Sequence, residues 1–253
     1  MIILIWECSA TMLVVKRLGL IEYKKCWELQ KETQQALMRG KGEDTLYLCE
    51  HTPVVTTGTR GLKGGLLVSE EELAARGIAL VKSDRGGDIT YHGPGQLVVY
   101  PVIDLRKIKK DVGWYIRGLE NVVVNALYMV NIKGVTLAGL TGVWTYKDLK
   151  YNNWGQNDCR QNGGGYEGFS KIASIGIRIS RWCTMHGIAL NVLDQREGFS
   201  CIDPCGLKGA SVTSVEDFAD GITVEKMAEL MVESFREEFG FKEWREECVL
   251  AGT

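Results

Sequence analysis

The chain has 253 residues, 45% hydrophobic and 25% charged, with a formal net charge of -2. That composition fits a globular protein with a sizeable core, in one large domain or two small ones. It excludes bulk nucleic-acid binding, which needs a strongly basic surface, and no apolar run approaches the roughly 18 residues of a membrane-spanning helix.

The apolar opening, Met1 to Trp6, is cut by Glu7, lacks the basic start of a signal peptide, and reads as a first strand. Leu20 to Leu37 carries Tyr23, Cys26, Trp27 and Leu37 at helical spacing and predicts an amphipathic helix ending at Gly40. Thr45 to Cys49 and Val54 to Thr57 read as strands, and Thr59 to Gly65 as a flexible basic loop. Ser69-Glu70-Glu71-Glu72 fits a capping box ahead of a short helix, and Ile78 to Lys82 is a short strand. Next comes RGGDITYHGPGQLVVYP, Arg85 to Pro101. Its front half reads as a loop with tight turns, where glycines let backbone N–H groups approach a ligand. Its back half, Gln96 to Tyr100, reads as a buried strand stopped by Pro101.

Asp111 to Val130 predicts a long helix with a broad apolar face for packing on a sheet. Val135 to Thr145, Lys171 to Ile179 and Cys183 to Val192 look like strands. Asn, Gln and Gly dominate the stretch between Tyr146 and Phe169, so a surface loop excursion is expected over 148–170. Thr223 can cap a last helix from Val224 to Phe239 that Gly240 stops, and the tail beyond it looks loosely held. Three long helices, one short one and a larger number of strands predict an α+β, mixed α/β fold: a single domain, 1–253, around one mixed sheet.

The eight cysteines are Cys8, Cys26, Cys49, Cys159, Cys183, Cys201, Cys205 and Cys248. A chain of this length can bury a real core without disulfides, so free thiols in a reducing, cytoplasmic setting are expected. Cys201 and Cys205 are too far apart in sequence for a CxxC motif, and the histidines are scattered, so no metal site of familiar spacing is visible. The P-loop and the GxSxG elbow are likewise missing, and GxGxxG does not occur in the strand-to-helix context of a dinucleotide fingerprint. Nucleophile chemistry remains. Cys205, in the small-residue turn SCIDPCG, has the best local setting for a reactive thiol. To act as a thiolate near neutral pH it needs a cation or donors, with Lys171 and Lys208 as candidate cations and His92 and His186 as candidate imidazoles. An idle buried thiol at Cys205, an exposed cap at Lys171 and a structural histidine at His186 stand as the competing readings.

Several separated stretches resemble one family, the lipoyl(octanoyl) transferases of lipoate biosynthesis. They are LCEHTPVVTTG (Leu48 to Gly58), RGGDITYHGPGQLVVYPVIDL (Arg85 to Leu105), DVGWYIRGLENVV (Asp111 to Val123), TGVWT (Thr141 to Thr145), KIASIGIRISRWCTMHGIALNV (Lys171 to Val192) and IDPCG (Ile202 to Gly206). The resemblance implies a fold similar to the catalytic domains of lipoate- and biotin-protein ligases. It implies transfer of an octanoyl group from octanoyl-acyl carrier protein to a lysine of lipoyl domains. The acceptors would be 2-oxo acid dehydrogenase complexes and the glycine cleavage H protein. Matching motif to motif, Cys205 falls on the family's nucleophile and Lys171 on its general acid/base. Arg85, Gly86, Gly87, Thr90, Tyr91, His92, Gly93, Gly95 and Gln96 fall on the loop that lines the acyl pocket. Ser174, Ile175, Gly176, His186, Gly187 and Ala189 fall on the substrate-binding strands beside the lysine. No ATP or metal is expected to take part. Both partners of such an enzyme are expected to be acidic, which makes Arg60, Lys63, Arg106 to Lys110, Arg178, Arg181 and Lys208 candidates for a local basic patch. An ATP-dependent ligase and a non-catalytic carrier-binding protein are the alternatives.

Overall fold

A computed structural model describes residues 12–61, 65–146, 168–203 and 211–248. The expected strand at Met1 to Trp6, most of the 148–170 excursion, Lys63, Lys208 and Cys205 lie outside these residues.

The elements run β1 (Leu13–Ile21), α1 (Tyr23–Met38), β2 (Asp44–His51), β3 (Val54–Thr57), α2 (Glu70–Ala75), β4 (Ala79–Lys82), β5 (Ile89–His92), β6 (Gln96–Val102), α3 (Val112–Tyr128), β7 (Val135–Leu137), β8 (Leu140–Tyr146), β9 (Phe169–Ser180), β10 (Cys183–Asn191), α4 (Arg196–Phe199), β11 (Ser211–Val212), α5 (Val224–Phe239) and β12 (Trp244–Cys248). The large mixed sheet has the order β12-β1-β2-β6-β10-β9-β8-β7, with β11 on β9. A second sheet, β4-β3-β5, was not expected from the sequence.

The central strands are apolar on both faces because both faces are covered. Leu46 and Leu48 of β2, Leu97 and Val99 of β6, and Ile188 and Leu190 of β10 pack with α3 and α5. Their alternates Tyr47, Cys49, Val98, Tyr100 and Ala189 pack with Cys26 and Leu37 of α1. The period of two assigns each residue to its face. The caps follow the sequence: Ser69, Asp111 and Thr223 each accept from a backbone N–H in the first turn of their helices, and Gly240 closes α5 in the left-handed region at φ 75°.

Four expectations change. Leu20 and Ile21 end β1, so α1 starts at Tyr23. The front half of the glycine-rich stretch is not all loop, because Ile89–His92 forms β5 and pairs with β3. Pro101 lies inside β6, opposite Leu46; the β6–β10 ladder ends at Val99, and the Pro101 carbonyl accepts from Thr184 Oγ1 at 2.7 Å. The tail is held as far as Cys248: β12 pairs in parallel with β1, and the Arg245 guanidinium bridges Glu43 at 2.7 Å.

Candidate active site

A cavity of about 410 Å³ opens where the small sheet meets β9 and β10 of the large one. The loop between β4 and β5 touches β9 backbone to backbone. Gly86 N–H donates to the Ile177 carbonyl at 2.8 Å, and a Cβ on Gly176 would stand 2.8 Å from the Gly86 oxygen. Only glycine permits that approach, so the glycines of the two motifs are first a packing requirement.

Lys171 lines this cavity as the third residue of β9, not the head of the strand. Its backbone is held between β8, where it faces Trp144, and β11, where it faces Val212. The Lys171 ammonium lies 5.1 Å from the centre of the Trp144 ring, and its side chain crosses Gly142, where a Cβ would fall 2.8 Å from the lysine Cε. A cation over an aromatic face is attracted to the ring, which helps fix its direction. Glu120 of α3 completes this corner by accepting from Gly142 N–H at 3.1 Å.

Arg85 is buried beside the cavity, with Thr56 as its main anchor: Nη2 donates to the carbonyl at 2.6 Å and Nε to Oγ1 at 3.1 Å. Burial pushes its pKa down. No carboxylate among the described residues stands within ion-pair distance of it, so its positive potential is directed at the cavity.

The three histidines, far apart in sequence, converge. His51, His92 and His186 all lie against the Tyr23 ring, at centroid separations of 5.3, 5.9 and 6.5 Å. Burial lowers the pKa of each, that of His51 to about 4, so all three are neutral at physiological pH. A directional chain fixes the His92 tautomer. Asn191 Nδ2 donates to the Thr213 carbonyl at 3.0 Å, Gln96 Nε2 donates to Asn191 Oδ1 at 2.9 Å, and Gln96 Oε1 is left to accept from His92 Nδ1 at 2.7 Å. Since a backbone carbonyl can only accept, both amides have one orientation, and Nε2 of His92 is an acceptor. His186 stands at φ 59°, rare for a side chain with a Cβ. Its N–H donates to Gln30 Oε1 at 2.9 Å instead of to β6, and its Nε2 bonds Asp84 Oδ1 at 2.7 Å.

Gly87, Thr90, Ser174, Ile175 and Ala189 also line the cavity. Three of the wall's buried polar atoms have no partner among the described residues: Thr90 Oγ1, Trp144 Nε1 and His186 Nδ1. Buried polar groups are nearly always hydrogen-bonded, so unsatisfied ones gathered in one cavity point to a polar ligand.

Four predicted residues stand away from the wall. Tyr91 turns to the far face of the small sheet and packs on Phe199, with ring centroids 5.8 Å apart. Gly93 and Gly95 form the turn into β6, where Gly95 N–H donates to Glu50 at 2.5 Å. Gln96 is instead bonded to His92. Gly187 lines the cavity but is also a packing position, since a Cβ there would meet the Val99 oxygen at 2.3 Å and the Pro101 ring at 2.6 Å. Cys205 lies outside the described residues. The chain just before it is anchored at Asp203, whose N–H donates to the Gly65 carbonyl at 2.7 Å beneath Ile89 of the cavity wall.

Sequence reasoning missed Tyr23, Asp84, Tyr100 and Trp144 as wall or supporting residues. TGVWT was a signal for Trp144; the others reach the site only through folding. The basic patch largely dissolves: Arg60 pairs with Asp88, Arg106 with Asp104, Lys107 with Asp44, Lys109 with Asp111 and Arg178 with Asp84.

Known structures share this architecture. The bi-partite lipoate protein ligase of Thermoplasma acidophilum superimposes with a TM-score of 0.67 at 17% identity, over 94% of this chain and 88% of that one. A lipoate-protein ligase A bound with ATP gives 0.65 at 16%, over 94% and 89%. At those identities the likeness speaks to fold alone. Sequence relatives are nearer. The octanoyltransferase of Chloroflexus aurantiacus is 39% identical over 91% of this chain and 95% of its own length. That of Synechocystis is 39% identical over 87% of each. The family model for the lipoyl protein ligase A/B catalytic domain matches residues 22–236, and with relatives this similar along almost its whole length the chain belongs to that family.

Proposed function

We propose that this protein transfers an octanoyl group from octanoyl-acyl carrier protein to a lysine amine of lipoyl domains, through a thioester on Cys205. The observation that carries the reading is the 39% identity to octanoyltransferases over 91% of the chain. Octanoyl transfer in protein lipoylation, an acyltransferase activity, is the reaction of this lineage. The acyl donor, the acceptors among 2-oxo acid dehydrogenases and the glycine cleavage H protein, and the residue roles are the proposal.

The chemistry needs a nucleophile, a proton carrier and a slot for the acyl chain. Cys205 Sγ loses its proton to Lys171 Nζ and attacks the thioester carbonyl. The carrier's thiol leaves with the proton returned by Lys171. Exchange of one thioester for another is nearly balanced, so no ATP is required and no metal enters the step. The acceptor amine then attacks the acyl-enzyme, Lys171 takes up its proton, and the Cys205 sulfur leaves as amide forms. Ile175, Ile188 and Ala189 offer apolar wall to the acyl chain. Each buried methylene contributes about 0.8 kcal/mol, so cavity depth can select chain length. Trp144 Nε1 and Thr90 Oγ1 are donors available to a substrate carbonyl.

Intact-protein mass after brief incubation with octanoyl-acyl carrier protein, without ATP, tests this. Native protein should gain one octanoyl mass that a lipoyl domain discharges, and Cys205→Ala should gain none. An absence of adduct, with octanoylation seen only when free octanoate and ATP are supplied, would overturn the thioester route in favour of ligase chemistry.

A further inference from the structure

Behind the cavity wall, on the α1 side of the large sheet, Cys26, Cys49 and His51 bring two sulfurs and an imidazole nitrogen within 4.8 Å of one another, all buried. Cys26 comes from α1. Cys49 and His51 are alternate residues of β2 and so share a face. We propose that Cys26 Sγ, Cys49 Sγ, His51 Nε2 and Tyr100 Oη form a binding site for one zinc(II) ion.

Two of the spacings are close to a tetrahedron's edges. Zinc–sulfur bonds of about 2.3 Å and zinc–nitrogen bonds of about 2.0 Å put two sulfurs about 3.8 Å apart and a sulfur and nitrogen about 3.5 Å apart. The sulfurs of Cys26 and Cys49 are 4.0 Å apart, and Cys49 Sγ is 3.8 Å from His51 Nε2. Two bonded thiols would instead need a separation of about 2 Å.

The imidazole is presented as a ligand. His51 Nδ1 lies 2.8 Å from the Ile21 carbonyl. A carbonyl only accepts, so the proton is on Nδ1 and the lone pair on Nε2. A backbone carbonyl holding the far nitrogen is the usual support of a metal-binding histidine. Tyr100 Oη stands 2.8 Å from Nε2. Opening that pair by about half an ångström makes room for the ion and supplies the fourth, oxygen ligand. Gln30, one turn from Cys26 on α1, donates Nε2–H to Cys26 Sγ at 3.8 Å, a bond suited to a thiolate.

Charge selects the ion. Binding releases the two thiol protons, and a dication with two thiolates, a neutral imidazole and a neutral phenol leaves no net charge in a buried place. A monovalent soft ion would leave one negative charge there. The ion takes no part in acyl transfer. Because Tyr100 also lines the cavity, a loaded site fixes part of that wall from behind.

The full chain, reduced and freed of metal, would be loaded with zinc(II), desalted and analysed for metal. One zinc per chain is expected in the native protein and in Cys205→Ala, and none in the Cys26→Ser/Cys49→Ser double variant. Tyr100→Phe should weaken binding by about tenfold. Cobalt(II) in place of zinc should give a thiolate charge-transfer band in the near ultraviolet that the double variant lacks. Should that variant fail to fold, zinc-edge X-ray absorption of the native protein decides, with two sulfur neighbours and two nitrogen or oxygen neighbours expected. Failure of the native protein to retain zinc, equal zinc in the folded double variant, loss of zinc in Cys205→Ala, or a sulfur count other than two would each overturn the proposal.

Discussion

Gln96 shows how much one amide can hold. It receives from His92 and donates to both Asn191 and the Tyr91 carbonyl. Gln96→Leu would leave these buried groups without partners, at about 1–3 kcal/mol for each exposed deficit. Urea denaturation should show a loss of about 2–4 kcal/mol, and octanoyl transfer should slow by about tenfold or more as His92 loses its fixed tautomer. Unchanged stability would sink the relay. The histidines also set a pH dependence. Their folded pKa values lie below the ordinary value near 6.5, so the unfolded chain binds more protons between the two. The stability they contribute is fully present above about pH 6.5. It falls as pH drops toward the folded values, which for His51 means about 4. A tenfold difference in proton affinity between the folded and unfolded chain corresponds to about 1.4 kcal/mol. Denaturation midpoints at pH 7, 6 and 5 should therefore fall steadily, and the fall should shrink in His51→Gln; a flat profile would contradict the burial of neutral imidazoles.

At the level of elements, most stop and start signals act locally. Thr223 Oγ1 accepts from the Lys226 N–H at 3.1 Å and opens α5, whose Met227, Met231 and Phe235 are wholly buried against α3 and the sheet. Thr223→Ala should lower stability by about 1 kcal/mol, read as a shift in urea midpoint with transfer rates unchanged, because the cap is remote from the cavity. A loss of activity without a loss of stability would show that α5 reaches the site in a way its packing does not reveal. β12 is the opposite case. Its sequence, WREEC, has little apolar pattern, and it forms because β1 offers an open parallel edge flanked by Glu43 and Lys16 for its charges.

The whole molecule makes its cavity by docking the loop between β4 and β5 of the small sheet onto β9 of the large one. The joint is Gly86 against Ile177 and Gly176. Gly176→Val would force the sheets apart by the width of a side chain. A fall in stability of about 1–3 kcal/mol is expected. Acyl-enzyme formation should slow by about a hundredfold, since misplacement by about 1 Å suffices for that. Stopped-flow acylation with octanoyl-acyl carrier protein measures it, and native rates would mean that the joint does not position the site.

The sequence by itself determined the three long helices, the caps of two of them, the apolar central strands and, through motifs in family order, the lineage. These are short-range patterns: a capping hydroxyl, a period of two or 3.6, a run of glycines. It was silent on the second sheet, because Ile89–His92 becomes a strand only when β3 is there to pair with it. It was silent on the meeting of His51, His92 and His186 around Tyr23, and on the Cys26, Cys49 and His51 cluster, which no motif spacing marks. It misjudged Pro101, whose missing N–H matters only if a neighbouring strand asks for it. It offered Tyr91, Gly93, Gly95 and Gln96 as cavity residues, whereas folding turns the tyrosine away and gives the others turn and positioning tasks. Tertiary structure decided these points because each depends on contacts between residues distant in the chain, whose energy exists only once the sheets have closed.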